Sequence, residues 1–236
     1  MNREAPLLPP RAWIPCSATA ANIVCGFGAM LAATEGYLDA AIYLLYAAVW
    51  LDMADGRLAR HFRATSRLGM ELDSLSDAIS FGVAPAFLVY RAVLHELGGF
   101  GVAVAVMYVL AGVFRLGRYN VISDSHHKTG RTVGLPIPAA AGYLMAIALL
   151  RDQIHVLGAV AIVLVMALFM ISSVRLPEFR GGSVVTVLLF IGLLNYTVLV
   201  VRPSWAAAIW WNVWNVVIYF AARREDRTVP SEPKTV

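Results

Sequence analysis

Asp52 and Asp55 are three apart in Leu51-Asp52-Met53-Ala54-Asp55-Gly56-Arg57-Leu58-Ala59-Arg60; after eight further residues, Asp73 and Asp77 are four apart in Gly69-Met70-Glu71-Leu72-Asp73-Ser74-Leu75-Ser76-Asp77. Either spacing puts both carboxylates on one face of a helix, and a hairpin between two such helices turns the four toward one another. Both segments border apolar runs. Four carboxylates gathered at membrane depth repel one another and are costly to desolvate, so they need hard cations or protons between them. Ligation by oxygen without sulfur favours Mg²⁺ or Mn²⁺, with Ca²⁺ as a further candidate. Gly56 and Ala59 keep the helix narrow where the acids point, and Arg60 adds a fixed cation with a fork suited to phosphate. Divalent ions and phosphate oxygens are the usual parts of a phosphoryl-transfer site. An ion-paired hairpin that serves only stability would account for one Asp and Arg pair, but not for four spaced acids with Gly, Ala and Arg among them.

The elements that must hold these residues are apolar. Of 236 residues, 59% are hydrophobic and 14% charged, which excludes an ordinary soluble globule and a disordered chain. The two cysteines, Cys16 and Cys25, are nine apart; at about 100° per residue they fall on opposite sides of a helix, so a disulfide scaffold is excluded too. Stretches of roughly 17–25 apolar residues can cross a bilayer as helices. The chain divides into about eight, near 14–34, 37–58, 72–92, 98–118, 133–150, 154–173, 184–201 and 204–222, which predicts an all-α integral membrane protein. The first run is too long for a signal-peptide core and reads as a retained span. A polar tail over 223–236 is expected to be disordered. Of the 19 Lys and Arg, only Arg91, Arg151 and Arg202 fall in the connections alternate to the N-terminus. The excess of positive charge on one side places both termini, and the connections near 60, 125 and 178, in the cytoplasm. The net charge of +4 is thus a topology signal with a contribution from anionic lipid head groups, and no nucleic-acid partner is expected.

Asp-x2-Asp-Gly-x2-Ala-Arg-x8-Gly-x3-Asp-x3-Asp, matched by residues 52–77 at every fixed position, resembles the signature of the CDP-alcohol phosphatidyltransferase family. Further segments resemble its CDP-diacylglycerol serine branch: Thr19-x2-Asn22-x3-Gly26, Ser80-Phe81-Gly82-x-Ala84-Pro85, Arg115-Leu-Gly-Arg118-Tyr-Asn120, and Gly134-Leu-Pro-Ile-Pro138. The resemblance covers about 15–180. It implies a six-helix core, to which the spans over 184–222 are additional, the whole of 1–222 forming one catalytic domain. It implies two divalent ions, Mg²⁺ or Mn²⁺, held by Asp52, Asp55 and Asp73, with Asp77 joining the metal site and serving as base. It assigns Thr19, Asn22, Gly56, Ala59 and Arg60 to the CDP moiety, and Arg115, Arg118 and Arg131 are the candidates for the acceptor. The implied reaction moves a phosphatidyl group from CDP-diacylglycerol to L-serine and releases CMP, in an enzyme of the cell inner membrane that is expected to be a homodimer. The chain departs from the pattern at Thr132 and Val133, where phenylalanine is common, and in its last two spans.

Other residues carry two readings. Asn22, inside an apolar run, is either interhelical glue or a ligand contact. Arg115 and Arg118 are either positive-inside anchors or acceptor ligands. His126 and His127 lack a Cys or carboxylate at ligand spacing and read as a solvated loop. Trp205, Trp210, Trp211 and Trp214 read as interfacial or packing residues, and Pro136 and Pro138 shape the start of the fifth span. Choline, inositol phosphate and glycerol phosphate are the alternative acceptors. A cation- or proton-coupled transporter would also use buried acids, but it gives Gly56, Ala59 and Arg60 no role.

Overall fold

The computed structural model describes residues 13–62, 67–124, 131–177 and 183–228. Nine α-helices dominate them: α1 (Trp13–Thr34), α2 (Leu38–His61), α3 (Arg67–Asp77), α4 (Ala84–Ala92), α5 (Gly99–Asp124), α6 (Ile137–Leu149), α7 (Val156–Ile171), α8 (Ser183–Val201) and α9 (Trp205–Thr228). Three helical runs are long and apolar enough to cross a membrane, Trp13–Thr34, Leu68–Ala92 and Gly99–Val121, and shorter apolar helices follow. The second of these joins α3 to α4 through a π-helical turn, Ala78–Val83. Helix α9 runs on to Thr228, beyond the end expected near 222. Residues 229–236 of the expected tail lie outside the described residues.

Besides a buried apolar core that includes Phe81, Leu88 and Ile137, the helices turn many large apolar side chains outward. Val24, Phe27 and Leu31 on α1 and Val106, Leu110 and Phe114 on α5 point outward, whereas Ala29, Ala33, Ala41, Ala48, Ala140 and Ala141 are buried. Lipid is as apolar as leucine, so large side chains can face outward at little cost, and small residues let helices approach. Helix α1 packs along α2 after a tight reversal at Gly36, whose φ is +86°. There Tyr37 N–H donates to the Ala32 carbonyl and Gly36 N–H to that of Ala33. This paired closure of a helix C-terminus needs a left-handed residue, which glycine supplies. Arg91 closes the same end, donating from Nε to Ala33 O and from Nη2 to Thr34 O at 3.2 Å each.

One element was not expected from the apolar pattern. Strands β1 (Arg131–Val133) and β2 (Arg175–Pro177) pair antiparallel, with Thr132 opposite Leu176. Three residues are too few to show an alternation, and β1 falls at the edge of a segment read as one span. The ribbon binds the segment before α6 to the end of α7: Gly134 N–H donates to Val174 O at 2.9 Å and Leu135 N–H to Phe169 O at 3.1 Å.

Helices α8 and α9 fasten to the rest through aromatic side chains. The Tyr46 hydroxyl of α2 donates to Leu193 O and lies 2.5 Å from Thr197 Oγ1. Tyr196 donates to Gly142 O, and Trp211 is buried between the rings of Tyr143 and Tyr196, 4.9 Å from each. Trp214 donates to Leu188 O. Of the C-terminal tryptophans, Trp211 is a packing residue, whereas Trp205 and Trp210 face outward.

Candidate active site

The acids converge where the end of α2 meets the end of α3. One carboxylate oxygen from each of Asp52, Asp55 and Asp73 lies within 4.8 Å of the other two, a spacing that a divalent cation can bridge. The carboxyls of Asp52 and Asp77 are in hydrogen-bonding contact, which brings the fourth acid to the same place. The helix spacings explain this: three and four residues are one turn, so each pair presents one face. Asp55 is buried and Asp73 exposed, so the cluster grades from the protein interior to its surface.

Helix α1 lines the cluster. Thr19 Oγ1 shares its proton between Asp55 Oδ2 at 2.9 Å and Pro15 O at 3.1 Å. One turn further on, Asn22 is fully buried, and neither atom of its amide finds a hydrogen-bond partner among the described residues. The same holds for Asp77 Oδ1. Buried polar atoms are seldom left unpaired, because an unmade bond costs about 1–3 kcal/mol. Two such groups beside an acid cluster mark a site built for a further ligand, and hard oxygen donors fit a divalent cation.

The α1–α3 contact is drawn tight by small groups. Ser76 donates to Thr19 O at 3.4 Å and Ser80 to Asn22 O at 3.1 Å. A Cβ on Gly26 would strike Ser80, reaching 2.9 Å from its Cα. From α5, Arg115 is 7% exposed, lies 5.7 Å from the centre of the Tyr119 ring, and interacts electrostatically with Asp77. Ser74 donates to Asn120 Oδ1 at 3.2 Å, a second tie between α3 and α5.

Thr19, Asn22, Asp52, Asp55, Asp73, Asp77 and Arg115 thus gather in one place. Gly56 and Ala59 continue α2 beyond Asp55, half-buried. Arg60 continues the α2 backbone and Arg131 belongs to β1; their side chains lie outside the described ones, as do His126 and His127. Arg118 takes another direction, its guanidinium donating to the carbonyls of Ile171, Met170, Ser172 and Val133 at 3.0–3.4 Å. Sequence reasoning did not single out Tyr108, which is fully buried and donates to Phe81 O at 3.1 Å. The available signal was Pro85, whose missing N–H leaves a carbonyl one turn earlier in need of a donor.

Comparison with known proteins identifies the family. Residues 12–171 match the family profile described as CDP-alcohol phosphatidyltransferase. A CDP-diacylglycerol–serine O-phosphatidyltransferase of Helicobacter pylori is 31% identical over 202 residues, covering 83% of this chain and 85% of the relative. One of Bacillus subtilis is 31% identical over 169 residues, 71% of this chain and 92% of the relative. An archaetidylserine synthase of Methanothermobacter thermautotrophicus is 36% identical over 165 residues, 68% of this chain and 67% of the relative. The acid cluster, which α2 and α3 build beside α1, lies within the matched region, and the chain belongs to the CDP-alcohol phosphatidyltransferase family.

Proposed function

We propose that the chain joins L-serine to the phosphatidyl group of CDP-diacylglycerol and releases CMP. The observation that carries this reading is the convergence of four carboxylates from α2 and α3 with Thr19 and Asn22 of α1 and Arg115 of α5. The names of the relatives from three lineages support serine as the acceptor.

In this reading Asp52, Asp55, Asp73 and Asp77 hold two divalent cations, Mg²⁺ or Mn²⁺. When bound, these supply neutralisation of the diphosphate and of the charge that develops on departing CMP. Asn22 and the backbone beside Gly56 and Ala59 contact the CDP moiety, with Arg60 against phosphate, and Thr19 orients Asp55 through its 2.9 Å bond. Asp77 takes the serine hydroxyl proton as the new O–P bond forms and the bond to CMP breaks. General-base assistance is typically worth about 10²–10⁴ in rate. Arg115, beside Asp77, is the cation that meets the serine carboxylate in this reading, and Arg131 of β1 is a further candidate. Acyl chains remain in lipid while the head group reaches the acids at the cytoplasmic end of the spans; the protein resides in the cell inner membrane with both termini in the cytoplasm and acts as a homodimer.

The test is CMP release by purified protein from CDP-diacylglycerol, with labelled serine, choline, inositol phosphate and glycerol phosphate as competing acceptors. Label from serine alone should enter lipid. Label from another alcohol would reassign the acceptor, and no CMP release with any of them would overturn the transferase reading.

A further inference from the structure

We infer that Tyr108 is a positioning residue: its hydroxyl replaces the amide hydrogen that Pro85 lacks, and so fixes the π-helical turn that aims Asp73 and Asp77. The turn spans Ala78–Val83 and begins directly after Asp77. Within it the Ala84 N–H donates to Ile79 O, five residues back. In an α-helix the next amide, at position 85, would donate to the carbonyl of residue 81. Position 85 is proline, so no amide at that position can donate to Phe81 O.

Tyr108 supplies one from α5. Its hydroxyl donates to Phe81 O at 3.1 Å, and the side chain is 0% exposed. A phenol buried among apolar helices normally keeps a partner for its O–H, and here that partner is the carbonyl the proline leaves open. On the opposite side, Ser80 donates to Asn22 O and packs against Gly26. The turn is therefore gripped from α1 and from α5.

Its register matters because a π turn adds one residue to the helix. One residue corresponds to about 100° around the axis. Relative to α4, which is anchored by buried Ala84, Pro85, Leu88 and Val89, the acids of α3 are turned by about that angle compared with an unbroken α-helix. Loss of the turn would swing Asp73 and Asp77 away from Asp52 and Asp55.

This inference rests on the proposed role of Asp73 and Asp77, and the experiment separates the two. Tyr108→Phe keeps the ring and removes the donor; Pro85→Ala restores an N–H that can reach Phe81 O while Ala84 keeps its bond to Ile79 O. Wild type, both single variants and the double variant are purified as full chains. Each is measured for melting temperature without metal, and for CMP release across a Mg²⁺ titration at varied CDP-diacylglycerol. Tyr108→Phe should lower the melting temperature, reduce turnover about tenfold and raise the half-saturating Mg²⁺ at least threefold, with KM for CDP-diacylglycerol within twofold. Adding Pro85→Ala to it should recover most of each loss. If Tyr108→Phe leaves the Mg²⁺ dependence unchanged, or if the double variant is no better than Tyr108→Phe alone, the inference is overturned. Mg²⁺ independence of the wild type would instead remove the metal reading, while the coupling of positions 85 and 108 in melting temperature would still test the hydrogen-bond replacement.

Discussion

Asp77 touches Asp52 and has an unpartnered Oδ1, a position that suits the metal-ligand and base roles proposed for it. Asp77→Asn keeps the shape and some coordination but cannot accept a proton. CDP-diacylglycerol binding should survive within roughly tenfold, about 1.4 kcal/mol, while turnover falls by about 10² or more. Donor binding and CMP release measured on one preparation decide between a base and a ligand. Asp52→Asn and Asp73→Asn each remove one charge from the shared cluster. They should lose both metal affinity and turnover, read as CMP release across a Mg²⁺ titration, and near wild-type rates in either would break the ligand assignment. Thr19→Val tests the support behind the ligands. It leaves Asp55 without its 2.9 Å donor, and partners of this kind usually change metal affinity about 10–100-fold. Half-saturating Mg²⁺ should rise in that range with little change in KM for the donor.

The junction of α1 with the π turn depends on the absence of a side chain at Gly26. A methyl group there overlaps Ser80, including its backbone, and overpacking of this kind costs about 1–3 kcal/mol. Gly26→Ala should therefore lower the melting temperature and, by pushing α1 from α3, weaken the Ser80–Asn22 bond and reduce CMP release; Gly28→Ala on the same helix, where the nearest atom is 3.5 Å from the added Cβ, should do neither. The acids were legible in the sequence because residue type and spacing carry their chemistry: Asp52 with Asp55, and Asp73 with Asp77, need only a helix to share a face. Thr19 was singled out only through the family resemblance, as a CDP contact, and its bond to Asp55 depends on how α1 packs, which spacing within α2 and α3 does not carry. What the apolar pattern did not show depends on the backbone. The π turn is a register choice invisible to hydropathy, β1 and β2 are too short to alternate, and the partners of Arg118 are carbonyls, which every residue has.

The whole molecule separates its two ends by charge. Asp39 opens α2 and accepts from Arg151 at 2.8 Å, whereas Asp52 and Asp55 lie near the other end of the same helix, about 20 Å away at 1.5 Å per residue. Two of the three basic residues at the far end are held by the protein: Arg151 by Asp39 and Ala148 O, and Arg91 by the carbonyls that end α1. A cation so engaged is matched by fixed partners, so it opposes the positive-inside bias less than a solvated one would. We propose on this ground that the Arg151 end faces outside and the acid end the cytoplasm, where CMP would be released. The test uses a Cys16→Ser, Cys25→Ser background carrying either Asp152→Cys or Asp124→Cys, and a maleimide that does not cross membranes. Asp152→Cys should label in intact spheroplasts, and Asp124→Cys only after permeabilisation. The reverse pattern would put the acids on the outer face, away from the cytoplasmic pools of CTP and serine, and would overturn the assigned orientation while leaving the chemistry of the four aspartates untouched.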